Sequence, residues 1–368
     1  MSKFKTNNIN DTEMVYSLLR EKYPDNKIDI NYNNKTSDYI LKVTNEKFML
    51  DPKVPVELKI KVIYGDTDSI FISMKFNRDS FTENRQDAFK MGIICGDNLT
   101  KEIFNRNPIE LEFEKVFQPF ILLTKKRYIG KKFENVKDPF KLKEITKAGT
   151  AASKRNYSKC IKNCYNEIID CIVNKDDVSE SLEIYKNYLD RIDNYQIEVD
   201  DLVVSSQLAK MYSCALCKTK CEWNRLVCDN IKCKVVSLPK SKKCVNCKSK
   251  FKCIHTFSLA HVTLAINMLS RNEEANVNDR IPYLYVEGDI KTKKSDLAED
   301  PKFFINNKMK YNRIYYTESL AKTILSFFKV VLNEHTDLLD DAIEYTNEKL
   351  ISYGAKKLRP SDFKMEEE

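Results

Sequence analysis

The sequence predicts an α+β fold with a β-rich first part and a mainly helical second part, and three observations lead to this prediction. Up to about residue 145, apolar residues occur in short runs bounded by turn residues, which is typical of antiparallel strands. From Cys160 onward, apolar residues recur at helical spacing. Between residues 214 and 256, eight cysteines among many lysines interrupt the helical pattern. We therefore expect a small metal-binding module within the helical part.

The composition narrows the class of protein. The chain has 368 residues, of which 42% are hydrophobic, and this is enough for two or three domains with cores. Because the 62 basic residues exceed the 54 acidic ones by only eight, binding to a polyanion depends on where the positive charge is concentrated. No stretch approaches the roughly 20 apolar residues of a membrane helix, and the N-terminus has no apolar export signal. We expect an intracellular protein with no membrane partner and with reduced cysteines.

Five segments follow from these patterns. Residues 1–59 combine a helix from Met14 to Tyr23 with an Asn- and Lys-rich stretch, residues 26–58. This stretch has weak strand character around Tyr39-Ile40-Leu41, and we interpret it as an insertion or loop. The remaining segments are residues 60–150, 151–213, 214–256 and 257–368, which correspond to strands with one helix, helices, the cysteine module, and further helices with a tail. The predicted helices cover residues 85–104, 161–172, 182–192, 261–271 and 318–333.

A candidate catalytic element lies in the hairpin predicted at residues 60–74, whose turn reads Tyr64-Gly65-Asp66-Thr67-Asp68-Ser69. Residues two apart on a strand point to the same face, so Asp66 and Asp68 would place two carboxylates side by side. Like charges this close repel unless a divalent cation lies beside them. Two Mg²⁺ ions in such a site serve phosphoryl transfer. The alternative is a polar hairpin tip that only faces water.

A basic run follows the apolar residues 120–123 and reads Lys125-Lys126-Arg127-Tyr128, with Lys131 close behind. Basic side chains held at the end of a rigid strand suit the phosphate backbone of a duplex. Lys154 and Arg155 form a second, smaller basic group. The alternative for both groups is a solvated charge run.

The cysteines have the spacing of metal ligands. Cys214, Cys217, Cys228 and Cys233 fit a four-cysteine site, in which a C-x2-C turn presents two thiolates at once. Cys244, Cys247 and Cys253 offer three ligands of a second site, and we favour His255 over Cys221 and His261 as its fourth. We expect zinc with a structural role, since this segment has little apolar content of its own. Contact of its lysines with DNA is a secondary possibility.

The string from Lys61 to Phe71 resembles the third conserved palm motif of family B DNA polymerases. Later blocks of the chain are similar to further family segments in the same order. Residues 111–128 resemble the segment that grips the primer-template, residues 147–156 the junction of palm and thumb, and residues 279–316 the thumb. The resemblance implies part of a palm followed by a thumb that carries the cysteine insertion. It also implies that Asp68 is the main Mg²⁺ ligand and that Asp66 supports it.

The cysteines at 214–233 also resemble a motif at the C-terminal end of replicative eukaryotic family B polymerases, where a 4Fe-4S cluster is an alternative to zinc. The Asn- and Lys-rich composition and the thumb blocks suggest a large DNA virus. The resemblance then implies work in a nucleus or at a cytoplasmic viral replication site.

Family B enzymes hold a second catalytic Asp in a D-x-x-S-L-Y-P strand and the incoming nucleotide on a K-x3-N-S-x-Y-G helix, and neither pattern occurs in residues 1–368. Nor is there room for an exonuclease domain. We therefore expect the C-terminal palm and thumb part of a DNA-directed DNA polymerase that replicates DNA. Its partners would be primer-template DNA, deoxynucleoside triphosphates and a separate polypeptide with the missing parts, without which it is inactive. The alternatives are a piece of a longer or spliced product that itself carries the missing parts, a non-catalytic DNA-binding zinc protein, and a decayed remnant.

Overall fold

The computed structural model describes residues 27–33, 38–44, 56–66, 68–76, 81–102, 112–135, 137–138, 141–175, 177–230, 232–239 and 241–363. The helix predicted from Met14 to Tyr23 lies outside these residues. The chain divides into two units, residues 1–148 and 149–368. Both antiparallel sheets and helices are present, so the predicted α+β class is confirmed. No helix among the described residues is long and apolar enough to cross a membrane.

The described residues of the N-terminal unit form two antiparallel sheets and one long helix. The first sheet has the order β1-β2-β3-β4 and the second the order β5-β6-β7. The elements are β1 (Lys27–Asn33), β2 (Asp38–Thr44), β3 (Val56–Asp66), β4 (Ser69–Phe76), α1 (Phe81–Glu102), β5 (Val116–Thr124), β6 (Arg127–Phe133) and β7 (Glu144–Ala148). The helix and hairpins predicted in this region are thereby confirmed, with shifted ends.

Over residues 27–33 and 38–44 the interpretation as an insertion or loop is wrong, whereas the strand character at residues 39–41 is confirmed. β1 pairs with β2 over seven residues, and β2 pairs with β3 from Tyr39 opposite Ile60 to Val43 opposite Val56. The signal was present in the alternation of Ile28, Ile30 and Tyr32 with polar residues, which is the period of a strand with one apolar face. The many asparagines and lysines of this stretch concealed that period.

The C-terminal unit is built mainly from helices. They are α2 (Lys159–Asp170), which continues as a π-helical turn (Cys171–Lys175), α3 (Val178–Asp193), α4 (Val199–Leu202), α5 (Ala260–Ser270), α6 (Pro301–Asn306), α7 (Arg313–Val331) and α8 (Thr336–Ser352), with 3₁₀ turns at Lys294–Leu297 and Pro360–Phe363. The core side chains of α2, α3, α7 and α8 are excluded from solvent, as Ile168, Leu189 and Ile324 show. The hydroxyls of Tyr185 and Thr346 lie 2.7 Å apart and join α3 to α8.

A second core lies around α5 and a small sheet of order β14-β13-β8. Its strands are β8 (Val204–Gln207), β13 (Arg280–Tyr285) and β14 (Ala298–Glu299). Trp223 is fully buried and Phe257 is nearly buried, and both pack into this core. In sequence, the two residues lie on either side of the cysteines from Cys228 to Cys253. The module therefore shares apolar packing with the rest of its unit.

Two short hairpins form the cysteine module, which we define as residues 214–256. The first joins β9 (Met211–Ser213) to β10 (Lys220–Glu222), and the second joins β11 (Leu226–Val227) to β12 (Val236–Ser237). Each hairpin ends in a turn that carries cysteines.

Candidate functional site

The carboxylate hairpin is formed by β3, β4 and the two-residue turn between them. Asp66 ends β3 and lies opposite Ser69, the first residue of β4. The backbone carbonyl of Asp66 accepts hydrogen bonds from the Asp68 N–H at 2.6 Å and from the Ser69 hydroxyl at 3.2 Å. Because backbone groups hold the turn, the exposed Asp68 carboxylate is not needed for its geometry. The Asp66 side chain is 34% exposed.

The basic run lies directly against this hairpin. Lys126 occupies the β5–β6 turn in the left-handed region, with φ of 62°. Its backbone N–H donates to the Tyr64 hydroxyl at 2.8 Å, and its Nζ lies 3.6 Å from Asp66 Oδ1. The structure thus places Lys126, which the sequence assigned to DNA binding, beside one of the two carboxylates.

Aromatic rings hold these two turns together. The Phe71 ring lies 5.4 Å from Tyr64, 5.5 Å from Phe120 and 5.3 Å from Tyr128, measured between ring centroids. Phe117 joins the same cluster. Tyr128, a predicted DNA-binding residue, therefore has a packing role in this unit. Of the other basic residues of the run, Lys125 is exposed, whereas Arg127 and Lys131 are partly buried.

A cavity of about 550 Å³ lies along β4. Within the described residues, β4 pairs only with β3, and β5 pairs only with β6. Residues 68–74 of the hairpin and residues 112–120 line the cavity together with Ala88, Gly92 and Gly96 of α1. The cavity thus borders two strands that have an unpaired edge, and Asp68 is among its lining residues.

The smaller basic group, Lys154 and Arg155, lies in the C-terminal unit. The Lys154 N–H donates to the Thr150 carbonyl at 3.2 Å, in the turns that precede α2. Arg155 is exposed and Lys154 is partly buried.

The cysteines form two clusters of four ligands, and all ligand atoms in each cluster lie within 4.8 Å of one another. One cluster, here the outer site, consists of Cys214, Cys217, Cys253 and His255. The other, here the inner site, consists of Cys228, Cys233, Cys244 and Cys247.

The ligand grouping expected from the sequence is therefore wrong, although the eight residues are the predicted ones. Cys228 and Cys233 join Cys244 and Cys247 instead of the first knuckle. The cause is contact across the module, because the Ala215 N–H donates to the Thr256 carbonyl at 2.7 Å. That bond brings the last ligands back to the first knuckle. Every inner ligand consequently lies between Cys217 and Cys253 in sequence.

Distances within the clusters fit a single tetrahedral ion. The Sγ atoms of Cys214 and Cys253 are 3.7 Å apart, and Cys217 Sγ lies 3.9 Å from His255 Nδ1. At the inner site the Cys228–Cys247 and Cys233–Cys244 sulfur distances are 3.5 and 3.7 Å. Zinc–sulfur bonds of about 2.3 Å place the sulfurs of a tetrahedron about 3.8 Å apart.

Two other ligand candidates have different surroundings. Cys221 Sγ lies 3.8 Å from Cys217 Sγ, at the edge of the outer site. His261 lies on α5, and its Nε2 is 3.2 Å from the Tyr212 hydroxyl. Burial lowers the pKa of His261, which favours its neutral form.

The two C-x2-C knuckles repeat one backbone arrangement. The Cys214 N–H donates to the Thr219 carbonyl, and the Cys244 N–H donates to the Ser249 carbonyl, both at 2.9 Å. Lys218 and the equivalent Lys248 have φ of 60° and 61°. The repeat is also visible in sequence, as Cys-x2-Cys-Lys-Thr-Lys and Cys-x2-Cys-Lys-Ser-Lys.

Hydrogen bonds at these knuckles favour thiolates. Side-chain and backbone hydrogen bonds from Thr219 lower the pKa of Cys217 to about 6, and those from Ser249 do the same for Cys247. Burial raises the pKa of Cys253, a ligand of the outer site, to about 11, so the lowered values are confined to particular ligands. It also raises the pKa of Cys160 to about 12 and that of Cys171 to about 11, and these two cysteines belong to the helical core and to neither cluster.

Comparison with known proteins adds to this geometry. The sequence profile of DNA polymerase family B matches residues 29–222 and 224–331. The chain belongs to this family. The match confirms the family that the hairpin string suggested, and it spans both units.

Several relatives of this family are viral or replicative polymerases. The DNA polymerase of Pyramimonas orientalis virus is 28% identical over 280 residues, which cover 74% of this chain and 19% of the relative. The DNA polymerase of Acanthamoeba polyphaga mimivirus is 27% identical over 70% of this chain and 13% of its own length. The DNA polymerase delta catalytic subunit of Plasmodium falciparum is 25% identical over 79% of this chain and 22% of its own length. The chain thus spans about a fifth of such relatives.

Among solved structures, the family B DNA polymerase of Pyrobaculum calidifontis is similar to this chain with a TM-score of 0.39 and 20% identity. The similarity covers 72% of this chain and 26% of that one.

Proposed function

We propose that this family B chain is the C-terminal palm and thumb part of a DNA-directed DNA polymerase that replicates DNA, of the kind found in large DNA viruses. The observation that carries the proposal is the hairpin that exposes Asp68, with Asp66 beside it and Lys126 of the β5–β6 turn next to Asp66. In this assignment the N-terminal unit belongs to the palm and the C-terminal unit to the thumb. The site of work would be a nucleus or a cytoplasmic replication site.

The reaction joins a deoxynucleoside triphosphate to a primer. The 3′-hydroxyl oxygen attacks the α-phosphorus, a new P–O bond forms, and the bond to the bridging oxygen breaks so that pyrophosphate leaves. Exposed carboxylate oxygens suit Mg²⁺, a hard cation that prefers oxygen ligands. Mg²⁺ would supply charge neutralisation for the attacking and leaving oxygens. Asp68 would hold it, and Asp66 would assist.

Lys126 has a specific part in this proposal. Its Nζ faces Asp66 at 3.6 Å, and its own side chain is 73% exposed. The ammonium group offsets part of the carboxylate repulsion before a cation binds. It also remains accessible to DNA, as do the exposed side chains of Lys125 and Arg155. We assign these residues, together with Arg127, Lys131 and Lys154, to contacts with the backbone of the primer-template.

A two-metal site needs a further carboxylate. We propose that a strand carrying this carboxylate occupies the cavity along β4. A strand placed there would pair with the unpaired edges of β4 and β5 in this unit. Its carboxylate would then lie near Asp68, which lines the same cavity. This strand comes from outside the described residues, and we propose that a separate polypeptide or another part of a longer product carries it together with the nucleotide-binding and exonuclease parts.

At the two cysteine clusters we propose zinc. Sulfur separations of 3.5 to 3.7 Å fit ligands around one ion. In a 4Fe-4S cluster each cysteine binds a different iron, which holds the sulfurs farther apart. The outer site also contains a histidine. These ions would hold the module together and take no part in the chemistry.

The competing function is a non-catalytic DNA-binding zinc protein, in which the carboxylate hairpin is a relic. The cysteine module is equally compatible with the polymerase function and with this competing function. The test must therefore address the carboxylate hairpin. A decayed remnant would likewise give no primer extension in the same test.

The test is primer extension by this chain, by a polypeptide with the remaining palm parts, and by their mixture. We expect extension only from the mixture, and Asp68→Ala should reduce its rate about a hundred- to a thousandfold, the scale for loss of a group that stabilises transition-state charge. Asp289→Ala removes an exposed carboxylate of the other unit and serves as the matched control. Extension by this chain alone would contradict the need for a further carboxylate. Equal extension by Asp68→Ala would overturn the proposed role of the hairpin.

A further inference from the structure

The positive charge of the chain is concentrated in the cysteine module. Residues 214–256 contain 11 lysines and arginines but only two acidic residues, a net charge of +9. The rest of the chain has 51 basic and 52 acidic residues. A segment of 43 residues therefore accounts for the whole net charge of +8.

The two acidic residues of the module do not neutralise its lysines. Glu222 forms ion pairs with Arg225 at 3.1 Å and with Lys210, outside the module, at 3.8 Å. Asp229 accepts a hydrogen bond from the backbone N–H of Lys252 at 2.7 Å. Within the described part of the chain, the lysines of the module are exposed and form no ion pair; they are Lys218, Lys220, Lys232, Lys234, Lys242, Lys243, Lys248, Lys250 and Lys252.

The metal framework fixes where these lysines lie. The two knuckles repeat one backbone arrangement, so Lys218 and Lys248 follow their cysteines in the same left-handed conformation. Lys243 and Lys250 face each other in an antiparallel bridge beside the inner site. Charges on a folded framework keep their spacing, whereas charges on a flexible tail do not.

We propose that the cysteine module is a second DNA-binding element of this chain, one that binds the phosphate backbone through its lysines without reading the base sequence. The proposal rests on the proposed function for the choice of DNA as the polyanion. Seven thiolates and two Zn²⁺ ions together contribute −3, so the loaded module keeps a net charge of +6. Each lysine that contacts a phosphate releases counterions, which makes binding weaken steeply with salt.

The test compares two variants with equal loss of charge. One variant carries Lys220→Gln, Lys242→Gln, Lys243→Gln and Lys250→Gln in the module. The control carries Lys291→Gln, Lys293→Gln, Lys302→Gln and Lys356→Gln, which are exposed residues elsewhere in the C-terminal unit. Binding of a fluorescein-labelled primer-template duplex by the full chain is measured by anisotropy over a range of salt concentrations. Zinc content confirms that both variants keep their metal sites.

We expect the module variant to bind at least about tenfold more weakly near physiological salt, with a slope of log K against log salt that is smaller by about one to three. The control should bind like the parent chain. Equal weakening in both variants, or none in the module variant, would overturn the inference. If the parent chain binds labelled polyglutamate more tightly than the duplex at equal charge concentration, and the module variant loses this preference, the module prefers an acidic protein and the choice of DNA is wrong.

Extension by the reconstituted mixture at saturating DNA separates the two proposals. The module variant should extend primers at the parent rate once DNA is saturating, because Asp68 and its surroundings are unchanged. Loss of DNA affinity with normal extension supports both proposals. Normal affinity in the module variant, with extension abolished by Asp68→Ala, leaves the proposed function standing and rejects the module as a DNA-binding element.

Discussion

The carboxylate hairpin and the cysteine module gather ligands in opposite ways. The hairpin exposes Asp68 beside a cavity, and its turn is held by backbone groups and the Ser69 hydroxyl without the Asp68 carboxylate. The module surrounds two points with four ligands each, and several of its cysteines are buried. An open ligand set can exchange substrate, whereas a closed set serves structure. Under the proposed function, this difference means that the hairpin needs a further strand for its chemistry and that the module needs metal for its fold.

Metal removal should show the largest difference between the two. With a zinc chelator we expect the module to unfold, because structural zinc contributes about 10–16 kcal/mol per ion in small zinc-finger peptides. Trypsin should then cleave at the many lysines of residues 218–252, as followed by mass spectrometry. Removal of Mg²⁺, or Asp68→Ala, should leave the thermal unfolding midpoint unchanged. A lower midpoint for Asp68→Ala would show that the hairpin is also a structural site.

Single-site variants should separate the outer from the inner site. Cys253→Ser and Cys244→Ser should each reduce the zinc content from two ions to one, as measured with a chromogenic chelator. Cys253→Ser should lower the unfolding midpoint of the whole unit, because the outer site borders the core around Trp223. Cys244→Ser should unfold only the inner part, whose own core is small. If both variants lose both ions, the sites are not separate.

Truncation of a buried aromatic side chain tests the separation of the outer from the inner part of the module without changing a metal ligand. Trp223→Ala should lower the free energy of unfolding by about 3–5 kcal/mol, since the indole is fully buried in the second core. Phe251→Ala is the matched change in the inner core. It should leave the global midpoint almost unchanged while increasing hydrogen exchange at residues 226–251. Equal global destabilisation by the two would mean that the module has one common core.

Lys126→Met should have the smallest effect on stability. The Lys126 ammonium group is 73% exposed and lies 3.6 Å from Asp66, and exposed pairs of this kind contribute about 0.2–1 kcal/mol. The backbone hydrogen bond to Tyr64 remains in this variant. Denaturant unfolding at low and high salt measures the effect, which should vanish at high salt. A change above about 2 kcal/mol, outside the range for surface pairs, would show that the contact organises the hairpin.

The sequence predicted the features whose residues lie close together along the chain. The turn from Tyr64 to Ser69 lies in a continuous string whose strands pair with each other, so the hairpin was visible without any distant contact. The helices α2 and α3 were also predictable, since their apolar stripes repeat over several turns. The eight metal-ligand candidates were identified from residue type and spacing alone.

Contacts between distant residues were not predictable in this way. β8 pairs with β13, and the pair includes Gln207 and Arg280, which are 73 positions apart. Both strands are too short to show a clear strand pattern within a mainly helical region. The ligand grouping failed for the same reason, because Ala215 and Thr256 meet across the module. The contact between Lys126 and the carboxylate hairpin likewise joins two turns that are separated by some sixty residues.

The nested order of the two proposed zinc sites has a consequence for metal affinity. The outer site must close a loop of 35 residues between Cys217 and Cys253. When the inner site is filled, it ties Cys228 to Cys247 and shortens the flexible part of that loop to roughly 16 residues. The entropy of loop closure then favours the outer site by about 0.7 kcal/mol, or roughly threefold in affinity. Two ions that share no ligand would thus bind cooperatively, through the length of the chain between them.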